Sequence, residues 1–171
     1  ADTAGGALTD ATGASTQSQA RMRYITAGDN HTCIVLSNNS VKCFGMGADG
    51  QLGNGSTNNI GDSAGSSVAT STVVSLGTGR TVRSISAGAA HTCALLDNAT
   101  VKCWGASANG RLGTGDTLDI GDDPNEMGDA LLPISLGTGV NAIAVTAGGA
   151  HTCVLLNTAV LKCFGNGTDG R

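Results

Sequence analysis

Hydrophobic positions in this chain come in short runs, each closed by glycine or a small polar cluster. Arg23 to Ala27, Arg83 to Ala87 and Asn141 to Ala147 each place apolar or β-branched residues before a Gly. Cys33 to Leu36 then predicts a compact strand, Ser37 to Ser40 a polar turn and Val41 to Phe44 a return strand. The same succession recurs through the turns Asp97 to Thr100 and Asn157 to Ala159, and a further short strand is expected at Thr72 to Leu76 and Leu132 to Leu136. Runs this short and Gly-bounded predict an all-β fold of propeller-type blades or a β-solenoid, not helical repeats.

Aligning His31, His91 and His151 reveals a period of 60 residues. The cores read HTCIVLSNNSVKCFG, HTCALLDNATVKCWG and HTCVLLNTAVLKCFG, with Gly28, Gly88 and Gly148 before them in one phase. Copies without insertions or deletions mark structural repeats of one fold. The period divides the chain into a partial repeat over 1–20, repeats over 21–80 and 81–140, and a partial repeat over 141–171. ADTAGG at the start matches GDSAGS at Gly61 to Ser66, and neither end reads as a cap, so the expectation is a stretch of a longer array that forms a partial propeller or an open β-repeat array.

Composition narrows the function classes. Twenty-seven Gly and 2% aromatics disfavour long helices and predict an interior of small side chains. The formal net charge is −4 and there is no basic block, which disfavours nucleic acid or an anionic membrane as a partner. No apolar run reaches the roughly 20 residues of a transmembrane helix. Ala1 does not open a secretion signal, which fits a processed product or an internal segment.

Six cysteines form three equivalent pairs, Cys33–Cys43, Cys93–Cys103 and Cys153–Cys163, symmetric about Asn38, Asn98 and Thr158. With those residues at hairpin tips, the cysteines oppose each other on antiparallel strands, within reach of a disulfide. Regular disulfides imply an oxidising compartment, hence secretion or display at the cell surface. Zinc binding is the alternative, because His31 falls on the same strand face as Cys33, yet each unit offers only three such ligands. Thiol chemistry is a further alternative, though Cys-x-x-Cys is absent.

The recurring histidines read as half-buried imidazoles bonded to backbone, because no unrepeated Ser, Asp or Glu completes a catalytic set around any one of them. Trp104 stands in the place of Phe44 and Phe164 and reads as a packing variant. GADGQLGNG and SANGRLGTG lack the Gly-Lys-Ser/Thr of a phosphate loop and read as turns between strands.

These motifs carry a resemblance. AGDNHTCIVLSNNSVKCFGMGADGQLGNG at 27–55, AGAAHTCALLDNATVKCWGASANGRLGTG at 87–115 and AGGAHTCVLLNTAVLKCFGNGTDGR at 147–171 resemble regulator-of-chromosome-condensation-like repeats. The resemblance implies four-stranded propeller blades. Two features depart from it: added stretches at Asn59 to Thr72 and Asp119 to Leu132, and cysteine pairs unlike the intracellular members. Guanine-nucleotide exchange on a small GTPase, the nuclear role in that family, is carried by no residue here. Extracellular members, including a bacterial inhibitor of β-lactamases, look like rigid binding scaffolds.

Two kinds of site remain. The middle insert gathers Asp116, Asp119, Asp122, Asp123, Glu126 and Asp129, oxygen donors suited to calcium; the first unit has Ser56, Asn59, Asp62, Ser63, Ser66 and Ala69 in those places. Asn30, Asn38, Asn54, Asn98 and Asn166 begin N-glycosylation sequons, with Asn38 and Asn98 at hairpin tips. The sequence thus predicts a non-enzymatic extracellular structural or adhesive protein, part of a filament, sheath or cell-surface assembly through self-association. The alternative is a propeller-like binding module for an extracellular protein or glycan. No cofactor other than calcium is implied.

Overall fold

Hairpin chemistry dictates the basic unit. In the computed structural model, which describes residues 22–69 and 71–170, Leu36 N–H donates to Ser40 O and Asn39 N–H to Leu36 O, closing a tight turn. Asn39 sits in the left-handed region at φ 62°, the bulged third residue of a three-residue loop. Ala99 and Ala159 hold the same conformation at φ 62° without the local polar bonding that suits Asn to it.

The turn sets the register. β2 (His31–Leu36) pairs antiparallel with β3 (Val41–Gly45), and Cys33 lies directly opposite Cys43. β1 (Met22–Ala27) adds on the other side of β2, with a bulge between Met22 and Tyr24. The unit recurs as β4 (Val82–Ala87), β5 (His91–Leu96) and β6 (Val101–Gly105), and as β7 (Ala142–Ala147), β8 (His151–Leu156) and β9 (Leu161–Gly165). All three predicted disulfides are formed. The expected all-β fold of tandem, disulfide-stapled blades is present; the three blades form an open row, with β4 packed between β1 and β7. The predicted partial repeat over 1–20 lies outside the described residues.

Two details differ from expectation. The second strand of each blade begins at the histidine, two residues before the cysteine. The fourth strand implied by the family resemblance is reduced to one bridge, Val41 with Val74, and to a bond from Ile134 N–H to Val101 O. Pro133 has no N–H to offer a ladder in blade 2, and in blade 1 the carbonyl of Ser75 is taken by Gly128 N–H.

Strand alternation assigns the two faces of every blade. His31, Cys33 and Val35 face the next blade, whereas Thr92, Ala94 and Leu96 face the previous one. One apolar cluster fills the seam between blades 1 and 2 around the fully buried Trp104, and a second fills that between blades 2 and 3. Among the described residues no helix is long and apolar enough to cross a membrane.

Candidate functional site

The repeated histidine is the pivot of each seam. His31 Nε2–H donates to Thr92 Oγ1 of the next blade at 2.8 Å, and that hydroxyl donates onward to Gln51 O at 3.2 Å. His91 repeats the relay through Thr152 Oγ1 at 2.9 Å to Arg111 O at 2.9 Å. Because each hydroxyl spends its proton on a carbonyl, it can only accept from imidazole, which sets the Nε2–H tautomer. The expectation of a half-buried, backbone-bonded histidine is therefore corrected: His31 and His91 are buried and bond to a side chain of the following blade. The repeated Gly before the histidine now has a reason. A Cβ on Gly88 would lie 2.2 Å from His91 Cε1 and 2.4 Å from Gly148 O, so the close approach admits only hydrogen.

Burial opposes protonation of these rings. His91 is held down to about 4, chiefly by desolvation and secondarily by the positive charges of Arg111, His31 and His151. Desolvation also lowers His31, with Asp29 working weakly against it. Among the described residues, Nδ1 of each of the three histidines is buried without a hydrogen-bond partner. The rings of His31 and His91 are neutral structural connectors at pH 7, and among the described residues no nucleophile is paired with them.

A second tie crosses the first seam outside the histidine line, and it is built from the insert of blade 2. Gly55 N–H donates to Gly121 O at 3.0 Å and Gly128 N–H to Ser75 O at 3.0 Å. Asp129 accepts from Thr78 N–H at 2.9 Å and Thr78 Oγ1 at 2.6 Å, bonds that hold its carboxyl below the usual range. Between these anchors Met127 Cε lies close to Gly53, beside the Trp104 indole. Lys102, only 7% exposed, gives its ammonium to Leu76 O at 2.9 Å and Gly128 O at 2.8 Å. Its burial lowers the lysine, partly offset by Asp129. The insert is a strap that locks blade 2 onto the glycine loop of blade 1.

One period later no described residue lies across the same receiving surface, and the insert equivalent to the strap would fall past Arg171. Gly110, Gly113 and Gly115 stand where Gly50, Gly53 and Gly55 stand in blade 1, lining a cavity of about 500 Å³ with Ile134, Leu136, Lys162 and Phe164. Among the described residues Lys162 bonds Leu136 O, at 2.7 Å. No described atom lies within 4 Å of a Cβ placed on Gly110 or Gly115, whereas Gly50 would strike the strap backbone at Asp122 N, 2.5 Å away.

The strap accounts for most of the calcium candidates. Asp119 accepts from Ser107 N–H at 2.7 Å, Asp116 from Thr114 Oγ1 and Leu118 N–H, and Glu126 from Gly121 N–H at 2.7 Å and Asp123 N–H at 3.1 Å. Asp122 buries one oxygen without a partner, and Asp123 is exposed. Among the described residues no group of three or more His, Cys, Asp or Glu could hold a metal ion. The carboxylates are spread along the turns of the strap rather than turned toward a common centre. Of the sequons, Asn30, Asn38 and Asn98 are exposed, Asn166 is half-buried, and Asn54 buries its side-chain oxygen. Asn38 and Asn98 accept from the side chains of Ser40 and Thr100 at the predicted tips.

Sequence reasoning missed Thr92, Thr152, Lys102 and the glycine groove. The signal was present in the Thr of every HTC and the Lys of VKC, VKC and LKC. Those residues fill by repetition alone, and their partners lie 26 to 61 residues away.

Stacked three-stranded blades tied by histidine to hydroxyl define a β-propeller-type repeat protein. The Regulator of chromosome condensation (RCC1) repeat matches residues 39–95 and 100–155, and the chain belongs to this family. Relatives include the Ultraviolet-B receptor UVR8 of Arabidopsis thaliana, 27% identical over 88% of this chain and 31% of UVR8. Human WBSCR16 shares the fold with a TM-score of 0.66 at 20% identity, over 86% of this chain and 33% of that structure. Yeast RCC1 (Prp20), solved bound to Kap60, gives 0.62 at 19% identity, over 85% and 32%. The chain spans about a third of the length of these proteins.

Proposed function

We propose that the chain is a protein-binding module made of disulfide-stapled propeller blades, acting in a secreted or cell-surface setting. The observation that carries this reading is the asymmetry of the inserts. Blade 2 presents Leu118 and Leu132, 72% and 73% exposed, where blade 1 has the polar Asn58 and Thr72. Large exposed side chains on a loop held by a rigid scaffold are the usual make-up of a protein contact. Membership in the RCC1 family, with a relative solved in complex with a protein, supports the same reading.

Three disulfides with no free cysteine among the described residues support the oxidising setting. This binding reading has more support than the structural or adhesive role expected from sequence, because the variable positions lie on loops while the repeated ones are consumed in packing. Among the described residues no acid, base and nucleophile are brought together.

The test is a two-residue swap. A partner captured by cross-linking in the source medium is titrated against the protein and against Leu118→Asn/Leu132→Thr. Loss of binding at an unchanged melting temperature supports the reading, and unchanged affinity rejects it. Alkylation before denaturation, followed by mass analysis, checks the compartment: free thiols in the native protein contradict secretion.

A further inference from the structure

We propose that Asn38 and Asn98 are N-glycosylated, so that blades 1 and 2 each carry one oligosaccharide at the tip of the hairpin, and that the sequons at Asn30, Asn54 and Asn166 stay unmodified. The inference rests on the secreted setting proposed above, because the sugar donor is met along that route.

Blade 2 decides between the sequons, because it has a neighbour on both sides and its surface is that of a blade within a row. Asn98 is exposed there, and Asn38 is exposed in the same place one period earlier. The next blade does grip the tip, but through the residue after the asparagine: Ala142 N–H donates to Ala99 O at 3.0 Å and Val82 N–H to Asn39 O at 3.2 Å. Packing uses the left-handed residue and leaves the asparagine before it outside. The side chain is also turned to suit. Oδ1 of Asn98 accepts from Thr100 N–H at 3.3 Å and Thr100 Oγ1 at 2.8 Å, and Oδ1 of Asn38 from Ser40 N–H at 3.1 Å and Ser40 Oγ at 2.7 Å. Both bonds fall on the oxygen, and no described residue accepts from Nδ2 of either. A sugar on Nδ2 replaces one of its two protons and leaves the turn intact.

The other three sequons fail on the same standard. Asn54 lies in the glycine loop beneath the strap with its Oδ1 buried, so a sugar on that amide would have to enter the contact between loop and strap. Asn30 and Asn166 correspond in blade 2 to Ala90, which is half-buried, and Ala106, 9% exposed, places that close once a blade has both neighbours. Thr158 takes the tip of blade 3 and ends the series. The transferred group is an oligosaccharide carried on a polyprenyl diphosphate. Nδ2 bonds the anomeric carbon as the bond from that carbon to the diphosphate oxygen breaks; the diphosphate leaves with the electron pair and Nδ2 gives up one proton.

The experiment takes the intact protein from its source medium and removes N-linked sugar enzymatically in heavy-oxygen water, which turns each glycosylated Asn into a labelled Asp. Peptides are then mapped by mass after reduction and alkylation. The expected result is label at Asn38 and Asn98 and none at Asn30, Asn54 or Asn166. An unlabelled Asn98, or label at Asn54, overturns the proposal. Secretion of the intact chain from a eukaryotic host supplies a second arm, read as the mass of attached sugar. Asn98→Gln and Thr100→Ala should each remove the same single glycan, Asn38→Gln and Ser40→Ala the other, and Asn54→Gln none. Two substitutions per site keep the reading independent of any one variant's folding. A glycan lost with Asn54→Gln, or none lost with Asn98→Gln and Thr100→Ala, overturns the assignment.

The thiol check separates this outcome from that of the secretion reading. Native protein with no free thiol and no sugar at Asn98 leaves secretion standing and removes the glycan. Free thiols together with an unlabelled Asn98 remove both.

Discussion

The seam between blades 1 and 2 and the seam between blades 2 and 3 are built from nearly the same residues, yet their outer halves differ. Both carry the histidine-to-threonine relay and a disulfide buried against the following blade. Lys102 and Trp104 are sealed in the first, while Lys162 is exposed and Phe164 half-buried in the second. The strap makes the difference. Strand-to-strand contact carries the histidine line in both seams, and in the first the strap closes the outer half as well.

The largest effect expected from this comparison is at the aromatic position. Trp104→Ala removes a fully buried indole and its bond to Gln51 O, and should cost about 3–5 kcal/mol by chemical denaturation. Phe164→Ala at the equivalent, half-covered place should cost roughly half as much. Equal losses would show that the strap adds nothing to the burial of the first seam.

Acid probes what the two seams share. The folded His91 binds its proton only near pH 4, against 6.5 for a free histidine, so the unfolded chain takes up the proton first as the pH falls. Stability is fully present above about pH 6.5 and is lost on descent to about pH 4, by about 3 kcal/mol from this residue. Unfolding midpoints measured between pH 7 and 4 check this, and His91→Gln, which keeps an N–H donor, should flatten the decline. A decline of the same size in that variant would contradict the assignment.

Covered and open blade faces should also differ in redox access. Cys33–Cys43 and Cys93–Cys103 are shielded by a following blade, whereas Cys163 is exposed and Cys153 half-buried among the described residues. Mild reductant with timed alkylation should open Cys153–Cys163 roughly tenfold faster than the others. Uniform rates would mean that the blades separate readily and that neither seam protects its disulfide.

The smallest effect concerns the turns, where Ala99 O accepts from Ala142 N–H of the next blade at 3.0 Å. Ala99→Gly relieves a left-handed Ala at φ 62° and should stabilise by about 0.5–1 kcal/mol in thermal unfolding. Ala159→Gly should match it, since the hairpin geometry is the same in the open blade. A gain at Ala159 alone would show that the bond from Ala142 N–H to Ala99 O across the seam resists the change at Ala99.

Much of the fold was legible because hairpins are local. Cys33 and Cys43 are 10 residues apart, and a three-residue loop with one left-handed position leaves a single register for the strands around it. Pairing, blade order and disulfides therefore followed from the spacing. The fourth strand did not, because Pro133 lacks an N–H in blade 2 and the strap takes the Ser75 carbonyl in blade 1. The acidic insert was misleading for a related reason: a run of carboxylates has the composition of a cation site, whereas here backbone amides and hydroxyls of neighbouring turns, up to 51 residues away, occupy most of them.

By itself the sequence determined a stapled β-repeat, since period, turn chemistry and cysteine phase all act within about one hairpin. Only the tertiary structure decided that the histidine belongs to the next blade's threonine and that the insert is a strap across the preceding blade's glycine loop. Identical short-range codes recur in every unit, and what distinguishes the units is which neighbour lies against them.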